Sequence, residues 1–223
     1  MDATLNQNAA AEMWRPVILT FESACSFDNP FLDVEIWAEF VGPSGRVIRR
    51  EAYWDGDRTY RVSFAPTELG AWNYVIEAPE QTGLNGCTGR VDAVPYAGDL
   101  DLYRHGFIRV ADDSRMFAYS DGTPFFWLGD THWEFAYRES WDTSNHPGMT
   151  SQFRGMVDLR AEQGFTVYQT NLRSDMGAGD RYWIDGGMAK GVEDVPNVAF
   201  YQRELDRRMA YIADAGLVNA LGQ

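Results

Sequence analysis

Residues Gly129 to Glu134 set an acid, a hydroxyl, an imidazole, an indole and a second acid side by side, directly after the apolar run Phe125–Leu128. That mixture suits a polyhydroxylated ligand: carboxylates and amides bridge hydroxyl groups, and a flat indole covers the apolar face of a sugar ring. Asp130, His132 and Trp133 are therefore candidate substrate-binding residues. Downstream, Asn171, Arg173 and Asp175 form a second polar group after the apolar stretch at 166–171, and Tyr182 and Trp183 offer further aromatic plates. Each has a structural alternative. Asp130 can cap a loop, His132 can be a wall contact, Trp133 can be core, and Glu134 can be a solvated acid. Asn171 is a candidate by position alone. A metal centre is not expected, since no second histidine stands at ligand spacing from His132. Neither a Gly-x-Ser-x-Gly elbow nor a cysteine with a serviceable histidine is present. The Gly-rich "MGAGD" at 176–180 lacks the Lys-Ser/Thr of a phosphate loop. No catalytic residue and no cofactor is assigned.

The elements that must position these groups follow from periodicity. An apolar strand at 125–129 is followed by a helix at 150–163, where Phe153, Met156, Val157 and Arg160 share one face, Thr150 or Ser151 can cap, and Gly164 stops it. A strand at 166–171 comes next, then a helix at 198–215 with Asn197 as cap and Leu205, Met209 and Ile212 on one face, then a strand at 217–221. This βαβαβ order predicts a parallel sheet, either a small doubly wound sheet or the first units of a (β/α)8 barrel. In such sheets ligands sit at the C-terminal ends of the strands. The expectation is that Asp130 and Asn171 lie on one rim, each just past its strand. An open sheet of this kind exposes an edge, so self-association is expected of the chain in isolation.

Residues 15–97 read differently. Short strands recur about every ten residues with turn signals between them; Val34, Ile36, Ala38 and Phe40 alternate with Glu35, Trp37 and Glu39, and "GPSG" at 42–45 makes a turn. An antiparallel β-sandwich of immunoglobulin type is predicted, with no place for a parallel pair. The Trp- and Tyr-rich stretches at 53–56 and 64–74 belong to its core on the economical reading, or to a glycan-binding face. Residues 1–14 read as a flexible tail, 15–97 as the sandwich and 98–223 as a partial barrel.

A net charge of −14 over 223 residues repels phosphate backbones, so nucleic acid is a poor partner. No apolar run of membrane-spanning length occurs, so no membrane partner is expected. No signal peptide is visible, which leaves both the cytoplasm and secretion open. Cys25 and Cys87 are too few for a zinc site, and their pairing is not fixed by sequence.

Several stretches resemble a known pairing of domains. "NPF" (29–31), "YWDG" (53–56), "RVSFAPTELGAWNY" (61–74) and "GCTGRV" (86–91) resemble an immunoglobulin-like module that precedes glycoside hydrolases. "HGFIRV" (105–110), "DGTPFFWLGDTHWE" (121–134) and "AEQGFTVYQTNL" (161–172) resemble the start of the apiosidase-like catalytic barrel. The resemblance implies a retaining hydrolase of polysaccharide side chains, with carbohydrate as its partner and the sandwich packed on the barrel of the same chain. It also implies an acid/base carboxylate after the fourth strand and a nucleophile after the seventh. By that reading the chain is an N-terminal portion without the catalytic pair. Asp130 would bond sugar hydroxyls, and Trp133 would match an aromatic of the subsite. The alternative is a non-catalytic carbohydrate-binding or structural sandwich.

Overall fold

A computed structural model of the protein describes residues 7–112, 115–133, 135–136, 138–171 and 195–222. The chain divides into two compact units, Met1–Asp99 and Leu100–Gln223.

The described residues of the first unit form eight strands: β1 (Gln7–Glu12), β2 (Val17–Glu22), β3 (Trp37–Val41), β4 (Val47–Glu51), β5 (Tyr53–Trp54), β6 (Thr59–Phe64), β7 (Gly70–Glu77) and β8 (Thr88–Val94). They form a five-stranded sheet in the order β1-β8-β7-β3-β4 and a three-stranded sheet in the order β2-β6-β5. Period-two patterning decides which side chains go inside. Ala38 and Phe40 of β3, Trp72, Tyr74 and Ile76 of β7, and Tyr60, Val62 and Phe64 of β6 are all buried in one core, with Leu19 and Phe21 from β2. Phe40 and Phe64 belong to different sheets, and their rings stack at 3.8 Å with an interplanar angle of 4°. The two sheets are thus the layers of a sandwich. The turn at 42–45 closes with Gly42 accepting from the Gly45 amide, and Gly45 takes a φ of 82° that a side chain would strain. Neither cysteine forms a disulfide: Cys87 is buried, and the half-buried Cys25 donates its thiol to the Gln81 carbonyl at 3.1 Å.

Two expectations are corrected here. Residues 7–12 are not a tail but strand β1, and β1 pairs in parallel with β8, from Gln7 opposite Gly89 to Glu12 opposite Val94. Composition hid this, because "QNAAAE" has too little apolar volume to read as a strand. Alternation nevertheless works with small residues: Ala11 is buried and Ala9 half-buried against the core, while Asn8 and Ala10 point out. A parallel neighbour without a helical crossover is possible because the whole sandwich lies between β1 and β8 in sequence.

The second unit contains a short helix α1 (Asp101–Arg104) and three short antiparallel strands, β9 (Ile108–Val110), β10 (Phe117–Tyr119) and β11 (Pro124–Phe125), in the order β11-β10-β9. Three parallel strands follow, β12 (Gly129–His132), β13 (Val167–Asn171) and β14 (Val218–Gly222), in sequential order. Helix α2 (Gln152–Glu162) connects the first pair; the Ser151 hydroxyl accepts from the Arg154 amide at its start, and Gly164 sits at φ 79° beyond its end. Helix α3 precedes the third strand. It begins at Val198–Phe200 under an Asn197 side-chain cap, widens into a π-helical stretch Tyr201–Asp206 and returns to α-helix in Arg207–Asp214.

The expected strand at 125–129 is displaced. Phe125 ends the antiparallel hairpin, paired with Phe117, and the parallel strand starts only at Gly129. Gly129 does not break the strand but begins it, paired with Val167. Between the two strands, Phe126 is 75% exposed, so the apolar run is not a continuous core segment.

If β1 is part of the folded sandwich, removing residues 1–12 lowers its unfolding free energy by about 1–3 kcal/mol, the net worth of a few ladder hydrogen bonds. Urea denaturation of the full and shortened chains measures this, and an unchanged midpoint contradicts it.

Candidate functional site

The two faces of the parallel sheet differ. One is covered by helices: Tyr168 packs with Phe153 and Val157 of α2, Leu205 and Ile212 of α3, and Leu217. On the other, Val167 packs with Tyr119 and Phe125 of the hairpin, with Val218 and Ala220 beside them. Register fixes where the motif falls. Asp130 lies opposite Tyr168 and His132 opposite Thr170, so both acid and imidazole belong to the helix-covered face.

Their contacts agree. The Arg160 guanidinium, projecting from α2, donates through Nε to Asp130 Oδ2 at 2.5 Å. His132 Nε2 stands 3.2 Å from the same oxygen, and its Nδ1 stands 2.9 Å from Glu139 Oε1. The imidazole is 8% exposed and stacks on the Tyr168 ring at 4.2 Å. Tyr168 also donates its hydroxyl to Glu139 Oε2 at 3.5 Å. Burial pushes the Asp130 carboxyl up, but the hydrogen bond from Arg160, the positive field of His132 and the Thr131 amide outweigh it, and the net shift is downward. Burial, and then the Glu139 charge, hold the Tyr168 phenol well above its ordinary range, so it remains a donor.

A second cluster fixes the loop after β12. Arg208 is 3% exposed, and it donates to the carbonyls of Phe135 at 3.0 Å and Glu139 at 2.9 Å. Its other donors reach the Glu204 carbonyl and carboxylate. Glu204 also accepts from Arg203 at 2.9 Å and Arg207 at 2.6 Å. Burial raises the Glu204 carboxyl, but the bonds from Arg207, Arg208 and Arg203 win and hold it down at about 2. Beside this cluster a cavity of about 490 Å³ is lined by Glu139, Trp141, Asn197, Arg203 and Arg207, with the Arg207 guanidinium 4.5 Å over the Trp141 ring.

Of the four residues singled out from sequence, the structure brings Asp130 and His132 together. They lie within β12 rather than past it, because the strand starts four residues later than the apolar run suggests. Trp133 follows the strand and is 59% exposed. Asn171 ends β13, two residues on from Gln169 and so on the sheet face away from Asp130. Glu134, Arg173, Asp175, Tyr182, Trp183 and the 176–180 stretch lie outside the described residues. Glu139, Glu204 and Arg208 were not anticipated. Two signals were available: Arg160 falls on the apolar face of α2, and Arg208 stands three residues from Leu205 and four from Ile212, on the buried face of α3. A charged residue on a buried stripe needs a partner. Among the described residues, no group of three or more His, Cys, Asp or Glu is arranged to hold a metal ion, and no helix is long and apolar enough to cross a membrane.

In the sandwich, Trp72 is fully buried, whereas Trp37 and Trp54 are half-buried. The Trp37 indole donates to Glu35 at 2.6 Å and lies under the Arg49 guanidinium at 4.5 Å, and the Trp54 indole donates to the Asp57 carbonyl.

Fold and site together define a β domain joined to a partial α/β domain. Over residues 111–223, just over half of the chain, the sequence matches the model of the apiosidase-like catalytic domain, and residues 10–79 match a domain of unknown function, DUF5060. The chain belongs to the apiosidase-like family. Its fold is similar to that of a Bacteroides vulgatus protein provisionally classed as a glycoside hydrolase, with a TM-score of 0.65 at 23% identity over 96% of this chain and 41% of that one. The chain thus spans well under half the length of that relative. A family 123 glycoside hydrolase from Clostridium perfringens (10% identity, 96% of this chain and 41% of that one) and the Lin-41 filamin domain (19%, 39% and 84%) align at a TM-score of only 0.31, too low to bear on the fold. No curated protein sequence matches the chain.

The depressed Glu204 carboxyl links stability to pH. A carboxyl held low when folded stabilises above its unfolded value, about 4.3, and that contribution is lost as pH falls through the folded value, about 2. The second unit is therefore expected to lose stability between about pH 4.5 and 2, and Glu204→Gln to flatten that fall. Thermal unfolding across this range measures it, and equal pH slopes for the variant and the parent contradict it.

Proposed function

We propose that the chain is the N-terminal part of a glycoside hydrolase, in which an immunoglobulin-like sandwich at 15–97 precedes the opening strands of a (β/α)8 barrel at 98–223. The observation that carries this reading is the parallel sheet β12-β13-β14. Its strands follow in sequence order, among the described residues helices cover one face, and the aromatic hairpin residues Tyr119 and Phe125 pack near the start of β13 on the other. That is how a barrel begins: helices outside, a lumen inside, a plug at the bottom. The family match supports the same reading.

The substrate is a carbohydrate, in a polysaccharide side chain by family resemblance. Hydrolysis in such enzymes needs two carboxylates, one as general acid/base and one as nucleophile. The resemblance puts them after the fourth and seventh strands, and the three parallel strands among the described residues supply recognition groups. Trp133, exposed after β12, and Asn171, at the end of β13, are assigned as sugar contacts. Asp130 and His132, engaged with Arg160 and Glu139, set the strand that carries them. A carbohydrate-binding role for the sandwich has less support. A groove of about 310 Å³ lined by Trp37, Glu39, Arg49 and Glu77 already holds the Arg49 guanidinium over the indole.

Incubation of the 223-residue chain with aryl glycosides tests the assignment. No turnover is expected. Turnover that survives purification and disappears in Asp130→Ala would overturn it.

A further inference from the structure

The face of the sheet away from the helices changes character along its length. At the N-terminal end the row is Gly129, Val167 and Val218, with Val167 fully buried against Tyr119 and Phe125. One step on, the row is Thr131, Gln169 and Ala220; Thr131 and Gln169 are both exposed. One step further stand Asn171 and Gly222. The same three strands thus present a sealed apolar floor at one end and an open polar surface at the other. The open end is the C-terminal end, where parallel sheets take their ligands.

Polar side chains on a sheet face are costly if that face is later covered without partners for them. Three neutral groups, a hydroxyl and two carboxamides, each both donor and acceptor, suit ligand hydroxyls that also donate and accept. The described charged groups of the motif are behind the sheet: Asp130 with Arg160, and His132 with Glu139. The geometry points to Thr131 and Gln169 as direct contacts to the hydroxyls of an uncharged sugar, with Asn171 one step further along the same face. Asp130 and His132 touch no sugar. They are positioning residues, which brace β12 from the helix side so that Thr131 faces the ligand. Gly222 completes the surface, and the absence of a side chain there leaves the end of β14 open to a ring.

This inference rests on the carbohydrate reading above, and its test separates the two. The 223-residue chain is titrated with neutral xylo-, manno-, arabino- and cello-oligosaccharides, with affinity and the side-chain amide NMR signals as readouts. For the sugar that binds, the Gln169 carboxamide signal shifts. Gln169→Ala and Thr131→Val each weaken binding about five- to tenfold, the loss of one neutral hydrogen bond, with an unchanged melting temperature. Asp130→Asn instead lowers the melting temperature, and its binding falls only as the fold loosens. Undiminished affinity in both Gln169→Ala and Thr131→Val, or loss of binding in Asp130→Asn at an unchanged melting temperature, overturns this inference while the carbohydrate reading stands. Failure of the unmodified chain to bind any of these sugars overturns both.

Discussion

The guanidinium of Arg160 on the Asp130 carboxylate is the contact on which the second unit turns. It ties the first parallel strand to helix α2. Side chains alternate along a strand, so fixing Asp130 toward α2 also fixes His132 toward the helix layer and Thr131 away from it. A slip of one residue would reverse all three. The pair is part-buried, with side-chain exposures of 22% and 29%, enough to shield it from full solvent screening. Desolvation alone would favour the neutral acid; the opposing charges and the Thr131 amide tip the balance to the carboxylate.

From there polar contacts run continuously into the loop after β12. His132 bridges Asp130 to Glu139, Tyr168 lies flat beneath the imidazole, and Arg208 holds the carbonyls of Phe135 and Glu139. One buried arginine on the last helix thereby positions the backbone next to Trp133. The π-helical widening at Tyr201–Asp206 lies just before Arg208 and contains Glu204, the carboxylate on which Arg203, Arg207 and Arg208 converge. A wide turn in a helix is a common companion of a specialised local geometry.

Much of the fold was legible because it follows from periodicity. Ile36, Ala38 and Phe40 are buried as their alternation requires, and Ser151, Asn197, Gly164 and Gly216 bound their helices where capping chemistry puts them. What was not legible depends on partners distant in sequence. Strand β1 is held by β8, more than seventy residues on, and its alanines give no local signal. The motif at 129–134 gave the right residue types but the wrong direction. An apolar run followed by acids reads as a strand and its rim. Only the pairing of Gly129 with Val167 shows that Asp130 is inside the strand. Arg160 was in view on the inward face of its helix, and a charge at such a position asks for an opposite charge on the sheet beneath.

The account stands or falls on whether Asp130 is bound to the helix layer or offered to a ligand. A double-mutant cycle between Arg160→Met and Asp130→Asn, read by denaturant unfolding of the whole chain, measures that directly. The account predicts a coupling free energy of about 1–2 kcal/mol, as for a part-buried, hydrogen-bonded ion pair. Strictly additive losses would mean that the two side chains do not meet, and that Asp130 is free to face a sugar after all.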